Sequence, residues 1–154
     1  MNTNSMLTIR YGIPDDVPFI VECQLKMALE TEQLELDQTT VTKGVEAVFK
    51  DPAKGFYIVG STNDTKVSCL MITKEWSDWR NAWVWWIQSV FVKPEFRQSG
   101  IFGMMYDNIK DLVMENGSVP GIRLYVDKSN TRAQDVYRKV GMNGEHYSTF
   151  EWMK

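Results

Sequence analysis

Apolar positions along this chain switch between a period of two and a period of three to four, and the switches lay out its elements. LTIR (7–10) alternates as a short strand, and YGIPDD leads from it into a helix. Asp15 or Asp16 can cap that helix, Pro18 is tolerated in its first turn, and Ile20, Cys23 or Gln24, and Met27 mark one face. ETEQLELDQTT reads as a connection. Val41, Val45, Val48 and Phe49 then recur at helical spacing until Asp51-Pro52 stops the helix. GFYIVGS, VSCLMIT and WVWWIQSVFV read as strands of an antiparallel meander, joined by the turn NDT and the loop within EWSDWRNA. A helix follows with Ile101, Met105, Ile109 and Leu112 on one stripe. IRLYV (122–126) is a strand, TRAQDVYRKV (131–140) a helix, and HYSTFEWM an alternating closing strand. The order β-α-α-β-β-β-α-β-α-β predicts an α/β (α+β) fold, a mixed sheet with helices on its faces, in one domain over residues 1–154.

Composition removes several kinds of chemistry. The chain has 154 residues, 44% of them apolar, enough for one domain with a real core. No apolar run approaches the ~20 residues of a membrane span, and MNTNSMLTIRYG lacks the pattern of a signal peptide, so a cytoplasmic protein is expected. Cys23 and Cys69 form no C-x-x-C pair and read as buried free thiols. His146 is the single histidine; it lies in the closing run and reads as an ordinary strand residue. Chemistry without a metal or a histidine base is expected.

Net charge is −3, which gives no basic footprint for nucleic acid. Its distribution says a little more. Residues 1–92 carry 8 Lys/Arg against 12 Asp/Glu, residues 93–139 carry 8 against 6, and residues 140–154 carry 1 against 2. A mildly basic second half suits an anionic ligand and an acidic first half a cationic one, although scattered solvated charge explains both.

Two stretches can carry chemistry. PEFRQSGIFG (94–103) joins a strand to a helix. Helix N-termini offer backbone N–H groups and partial positive charge to phosphate. Gly100 permits close approach and dihedrals a side chain forbids, and Arg97 adds a fixed charge. Alone, the stretch reads equally as a phosphate cradle or as a plain connection; it is neither a dinucleotide-binding fingerprint nor a Walker motif. The second stretch is LYVDKSNTRAQDVYRKVGM (124–142). Ser129 or Asn130 can cap its helix, Ala133, Val136, Tyr137 and Val140 form the apolar face, and Gly141 closes it. Alone, Tyr137 reads as a core aromatic.

Together the two stretches resemble the signature segments of the GNAT N-acetyltransferase superfamily. Its cofactor motif runs from a hydrophobic strand into R/Q-x-x-G-x-G/A, here SVFVKPEFRQSGIFG; its second motif matches Asn130, Tyr137 and Gly141-Met142. One position departs: the second small residue is Phe102, whose ring is expected to turn into the core.

The resemblance implies a mostly antiparallel sheet of six to seven strands flanked by about four helices, with strands 4 and 5 splayed. It implies acetyl-CoA as co-substrate and no metal. By it, Ser89, Val90, Phe91 and Val92 would supply backbone to the pantetheine arm. The N–H groups of Arg97, Gln98, Ser99, Gly100, Ile101, Phe102 and Gly103 would cradle the diphosphate, and Asn130 would hold the arm from the other strand. An amine would attack the thioester, an N–H near Val90 would steady the oxyanion, and Tyr137 would protonate the departing thiolate.

The acceptor is less legible. Glu22, Glu30, Glu32, Glu75 and Asp78 are carboxylates near its expected side, each equally a surface charge. Trp76 and Trp79 flank Asp78, with Trp83, Trp85 and Trp86 close behind; they form either a packed hydrophobic face or a wall against a cationic acceptor. The expected partner is a small-molecule amine, with Glu30, Trp76, Asp78 and Trp79 as candidate contacts. The alternative is a CoA-binding sensor module without turnover. Nucleic acid and membrane partners are not expected, and the aromatic closing strand offers an edge for a homodimer.

Overall fold

A computed structural model describes residues 6–154. The chain divides into two compact units, one up to Arg123 and one of Leu124–Lys154.

The first unit is built on a five-stranded sheet in chain order: β1 (Leu7–Tyr11), β2 (Phe56–Thr62), β3 (Thr65–Ser77), β4 (Ala82–Val92) and β5 (Ile122–Arg123). The first four pair antiparallel and β5 joins β4 in parallel. Helix α1 (Val17–Glu32) packs on α2 (Gln38–Lys50) and against β3 and β4, while α3 (Ile101–Asn116) packs against β1 and β2. The strand period sorts the core between these helices. Tyr57, Val59 and Cys69 cluster with Ile20, Val21, Cys23, Val45 and Val48, and Phe91 of β4 joins them. The alternate residues Ile58, Leu70 and Ile72 are fully buried and belong to the opposite face, as are Met105 and Ile109 on the stripe of α3.

Local signals fix the helix ends. Asp37 caps α2 by accepting from the Thr40 amide at 2.8 Å, and Asp51 accepts from the Ala53 amide where Pro52 ends that helix. Asp16 precedes α1, but its carboxylate makes no cap. Fully buried, it accepts from Arg10 (2.7 and 3.0 Å), Lys66 (2.7 Å) and the Ile13 amide (2.9 Å). Both cysteines are free and buried. A hydrogen bond with Cys23, and burial, hold the Cys69 thiol well above its ordinary pKa, so it stays protonated and inert at neutral pH.

The second unit contains α4 (Thr131–Lys139). Asn130 caps it by accepting from the Ala133 amide at 3.1 Å, and Gly141, at φ 90°, closes it. Ala133, Val136, Tyr137 and Val140 are its half-buried face.

The strand count needs correction: the described residues contain five strands, not six or seven. IRLYV is extended only at Ile122–Arg123, because pairing with β4 is confined to Trp85 and Trp86. HYSTFEWM forms no strand, and Tyr147, Phe150, Trp152 and Met153 are exposed. Alternation supplies two faces, but a strand also needs a neighbour's hydrogen bonds. His146 is therefore not a strand residue; it lies beside the Asn143 amide.

Candidate acyl-donor site

β4 carries the first part of the site. Between the pairs Cys69↔Phe91 and Met71↔Gln88, β3 advances two residues while β4 advances three. The extra residue is a bulge at Ser89–Val90, and Ser89 adopts φ 53°, unusual for a residue with a side chain. A bulge bends its strand and turns peptide groups out of the ladder. On the other side β5 pairs only with Trp85 and Trp86, so β4 from Ile87 to Val92 has an open edge among the described strands. The expected splay is present, and Ser89, Val90 and Val92 lie along it. Phe91 is 4% exposed and belongs to the α1–α2 core.

The loop after β4 carries the second part. A 3-10 turn, Pro94–Phe96, ends with the Arg97 amide donating to the Pro94 carbonyl. Gln98 (φ 63°) and Gly100 (φ 78°) are left-handed, and Ser99 returns its hydroxyl to the Phe96 carbonyl. The first bond of α3 runs from the Met104 amide to the Gly100 carbonyl at 3.1 Å. Amides ahead of it have no acceptor one turn back within the helix, as at every helix start. A Cβ at Gly100 or Gly103 would meet no protein atom within 4 Å, so the space above the loop is open to a ligand. Amide donors, positive helix end and bare glycines together fit a diphosphate.

The Phe102 ring is half-buried and stacks at 6.1 Å on Tyr106, a buried residue of α3 with Lys110 over its ring.

Arg97 does not extend freely. Its Nε donates to the Val92 carbonyl at 2.8 Å, a terminal nitrogen donates to Glu30 at 2.7 Å, and its guanidinium sits 5.5 Å from the Phe91 ring centre. Glu30, expected among the acceptor contacts, is thus brought to the loop. Nothing in the sequence signals a pair 67 residues apart. Sequence reasoning also gave no role to Gln24 beyond a helix face. Its side-chain nitrogen is buried without a hydrogen-bond partner among the described residues, on the helix that packs against β4. It is an unused donor.

The tryptophans stand elsewhere. Trp76 and Trp83 face each other across the β3–β4 hairpin, edge to face at 5.1 Å and each 49% exposed, and Trp79 at the tip is 91% exposed. Asp78 accepts from the Trp79 amide in the tip turn, and Glu75 pairs with Arg123 at 2.9 Å. At about 3.3 Å per residue, Trp83 lies about 20 Å along β4 from Ser89. A groove of about 610 Å³ between α1 and α2 is lined by Val17, Val21, Glu22, Leu25, Lys26 and Thr42 among others; of the candidate carboxylates it holds Glu22, which is paired with Lys26.

In the second unit, the Asn130 side-chain oxygen is committed to its cap, which leaves its NH2 as donor. Tyr137 is half-buried, and burial pushes its phenol up from the usual 10, so it is protonated at neutral pH. Among the described residues, no group of three His, Cys, Asp or Glu could hold a metal.

A bulged, open-edged strand running into an amide-rich turn at a helix start offers backbone donors to an extended anionic ligand. The model of the acetyltransferase (GNAT) family matches residues 21–142, and the chain belongs to that family. It is an acyltransferase, and acetyl-CoA is its acyl donor. The chain is 39% identical to a possible acetyltransferase from Clostridium difficile 630, covering 97% of this chain and 98% of that one with a TM-score of 0.89. A predicted acetyltransferase from Clostridium acetobutylicum, solved with acetyl-CoA, shares the fold at 18% identity (TM-score 0.73, covering 95% and 96%). So does an aminoglycoside acetyltransferase from an uncultured soil metagenomic sample, at 14% identity (TM-score 0.79, covering 100% and 99%). Comparison with curated proteins gives no match by sequence.

Proposed function

We propose that this enzyme moves the acetyl group of acetyl-CoA to a primary amine of a small molecule, by direct attack within a ternary complex. The observation that carries the reading is the open edge of β4 at its bulge, continuous with the loop at Gly100. In this reading the backbone of Ser89, Val90, Phe91 and Val92 lines the pantetheine arm. The amides from Arg97 to Gly103 hold the diphosphate, and the Asn130 NH2 donates to the arm. In this reading the Val90 N–H, at the bulge, stabilises charge on the thioester oxygen. The neutral amine nitrogen bonds to the carbonyl carbon and releases a proton to solvent, the C–S bond breaks, and Tyr137 gives its proton to the thiolate and regains one from solvent. A phenol held protonated by burial suits that role.

The tryptophan tip bears on the acceptor's shape. Aromatic faces attract cations, and the Trp76–Trp83 pair next to the tip lies about 20 Å from the bulge. An acceptor touching both is extended and cationic, with a polyamine the fitting small-molecule class; a compact amine would use neither Trp76 nor Trp79.

Thiol release from acetyl-CoA across a panel of amines tests the function. Turnover with at least one amine, fastest with long polyamines, is expected. Carrier binding without turnover on any amine would instead make the chain a CoA-responsive module.

A further inference from the structure

The Glu30–Arg97 pair has a chemistry of its own. Glu30 lies in the last turn of α1, where the helix presents carbonyl groups and negative charge, and that turn has no basic residue. A carboxylate there is disfavoured unless a cation comes from outside the helix. Arg97 provides it, from the residue that opens the glycine loop. The guanidinium is pinned through Nε on Val92 and over Phe91, so only its outer nitrogen serves Glu30.

We propose that Glu30 is an internal competitor for the carrier's diphosphate, a carboxylate that occupies Arg97 until the diphosphate displaces it. This rests on the reading that the loop binds the diphosphate. The arginine stays in place on exchange, because its two other contacts do not involve Glu30. Such an exchange is energetically accessible. The two side chains are 35% and 40% exposed, and pairs that exposed contribute little. Glu30 therefore acts through Arg97 as a positioning residue. It holds the loop's charge while the site is empty and lowers affinity for anions that cannot dislodge it.

Calorimetric titration at low ionic strength, where exposed charges are least screened, tests this with Glu30→Gln, Arg97→Gln and the double variant, each checked for folding by circular dichroism. Glu30→Gln is expected to bind CoA roughly two- to fivefold more tightly, to leave the affinity for uncharged pantetheine unchanged, and to have no effect when Arg97 is already Gln. Unchanged or weaker CoA binding by Glu30→Gln would overturn the proposal and leave the pair a plain strut. Equal tightening toward pantetheine would overturn it as well. Absence of CoA binding by the wild-type protein would instead remove the loop reading, and this inference with it.

Discussion

Three side chains illustrate how environment assigns work. Asp16 is buried, which by itself would favour its neutral form. The hydrogen bonds from Arg10, Lys66 and the Ile13 amide outweigh burial and hold its pKa well below the usual range. A carboxyl depressed in the fold stabilises it fully above the unfolded pKa of about 3.9, and that stabilisation fades as pH falls below it. Asp16→Asn leaves two partly exposed cations without their counter-charge and should cost about 1–3 kcal/mol at pH 7, measured by urea unfolding. The gap from wild type should narrow below about pH 4.

For Tyr137, burial raises the phenol from its ordinary value. Tyr137→Phe should keep carrier affinity and lower turnover by about 10²-fold or more. Because burial raises the phenol from its ordinary value, the wild-type rate should show no loss from Tyr137 between pH 7 and 9. Stopped-flow thiol release over that range checks both. Trp79, at 91% exposed, contributes little packing. Trp79→Ala should change stability by less than about 0.5 kcal/mol while raising the KM of a long polyamine and leaving that of a compact amine unchanged.

At the level of elements, the turn into α3 is the critical one. Gly100 is left-handed and faces open space, so two effects of substitution can be separated. Gly100→Val brings backbone strain of about 1–2 kcal/mol and puts a side chain where the proposed reading seats the diphosphate. Thermal unfolding should show the modest first effect, and CoA affinity should fall at least about tenfold. Elements with local punctuation were readable from the sequence: Asp51-Pro52 ends α2, Asn130 caps α4, Gly141 closes it. Elements that depend on a neighbour were not. HYSTFEWM has a strand's alternation but no ladder to join, and IRLYV ends where β4 stops pairing. Ser89 gave no warning of a bulge, because left-handed backbone is expected of glycine and not of serine inside a strand.

Across the whole molecule, the family was legible because its two signatures are short, local and glycine-marked, and they carry the donor chemistry. The acceptor was not, since no comparable local pattern marks its candidate contacts. Glu30 was a plausible acceptor contact on paper, yet folding brings it to Arg97. Trp76 and Trp79 were adjacent to the strand that holds the bulge, yet an eleven-residue β4 carries them to its far end.

The central claim is that the amides opening α3, together with the open edge of β4, hold the acyl carrier. Titrating CoA into 15N-labelled protein and following each amide tests it most directly. The largest shifts should fall on residues 98–103, with a second group at 89–92, and Gly100→Val should abolish the first group. Saturable shifts confined to other segments, or none at millimolar CoA, would contradict it.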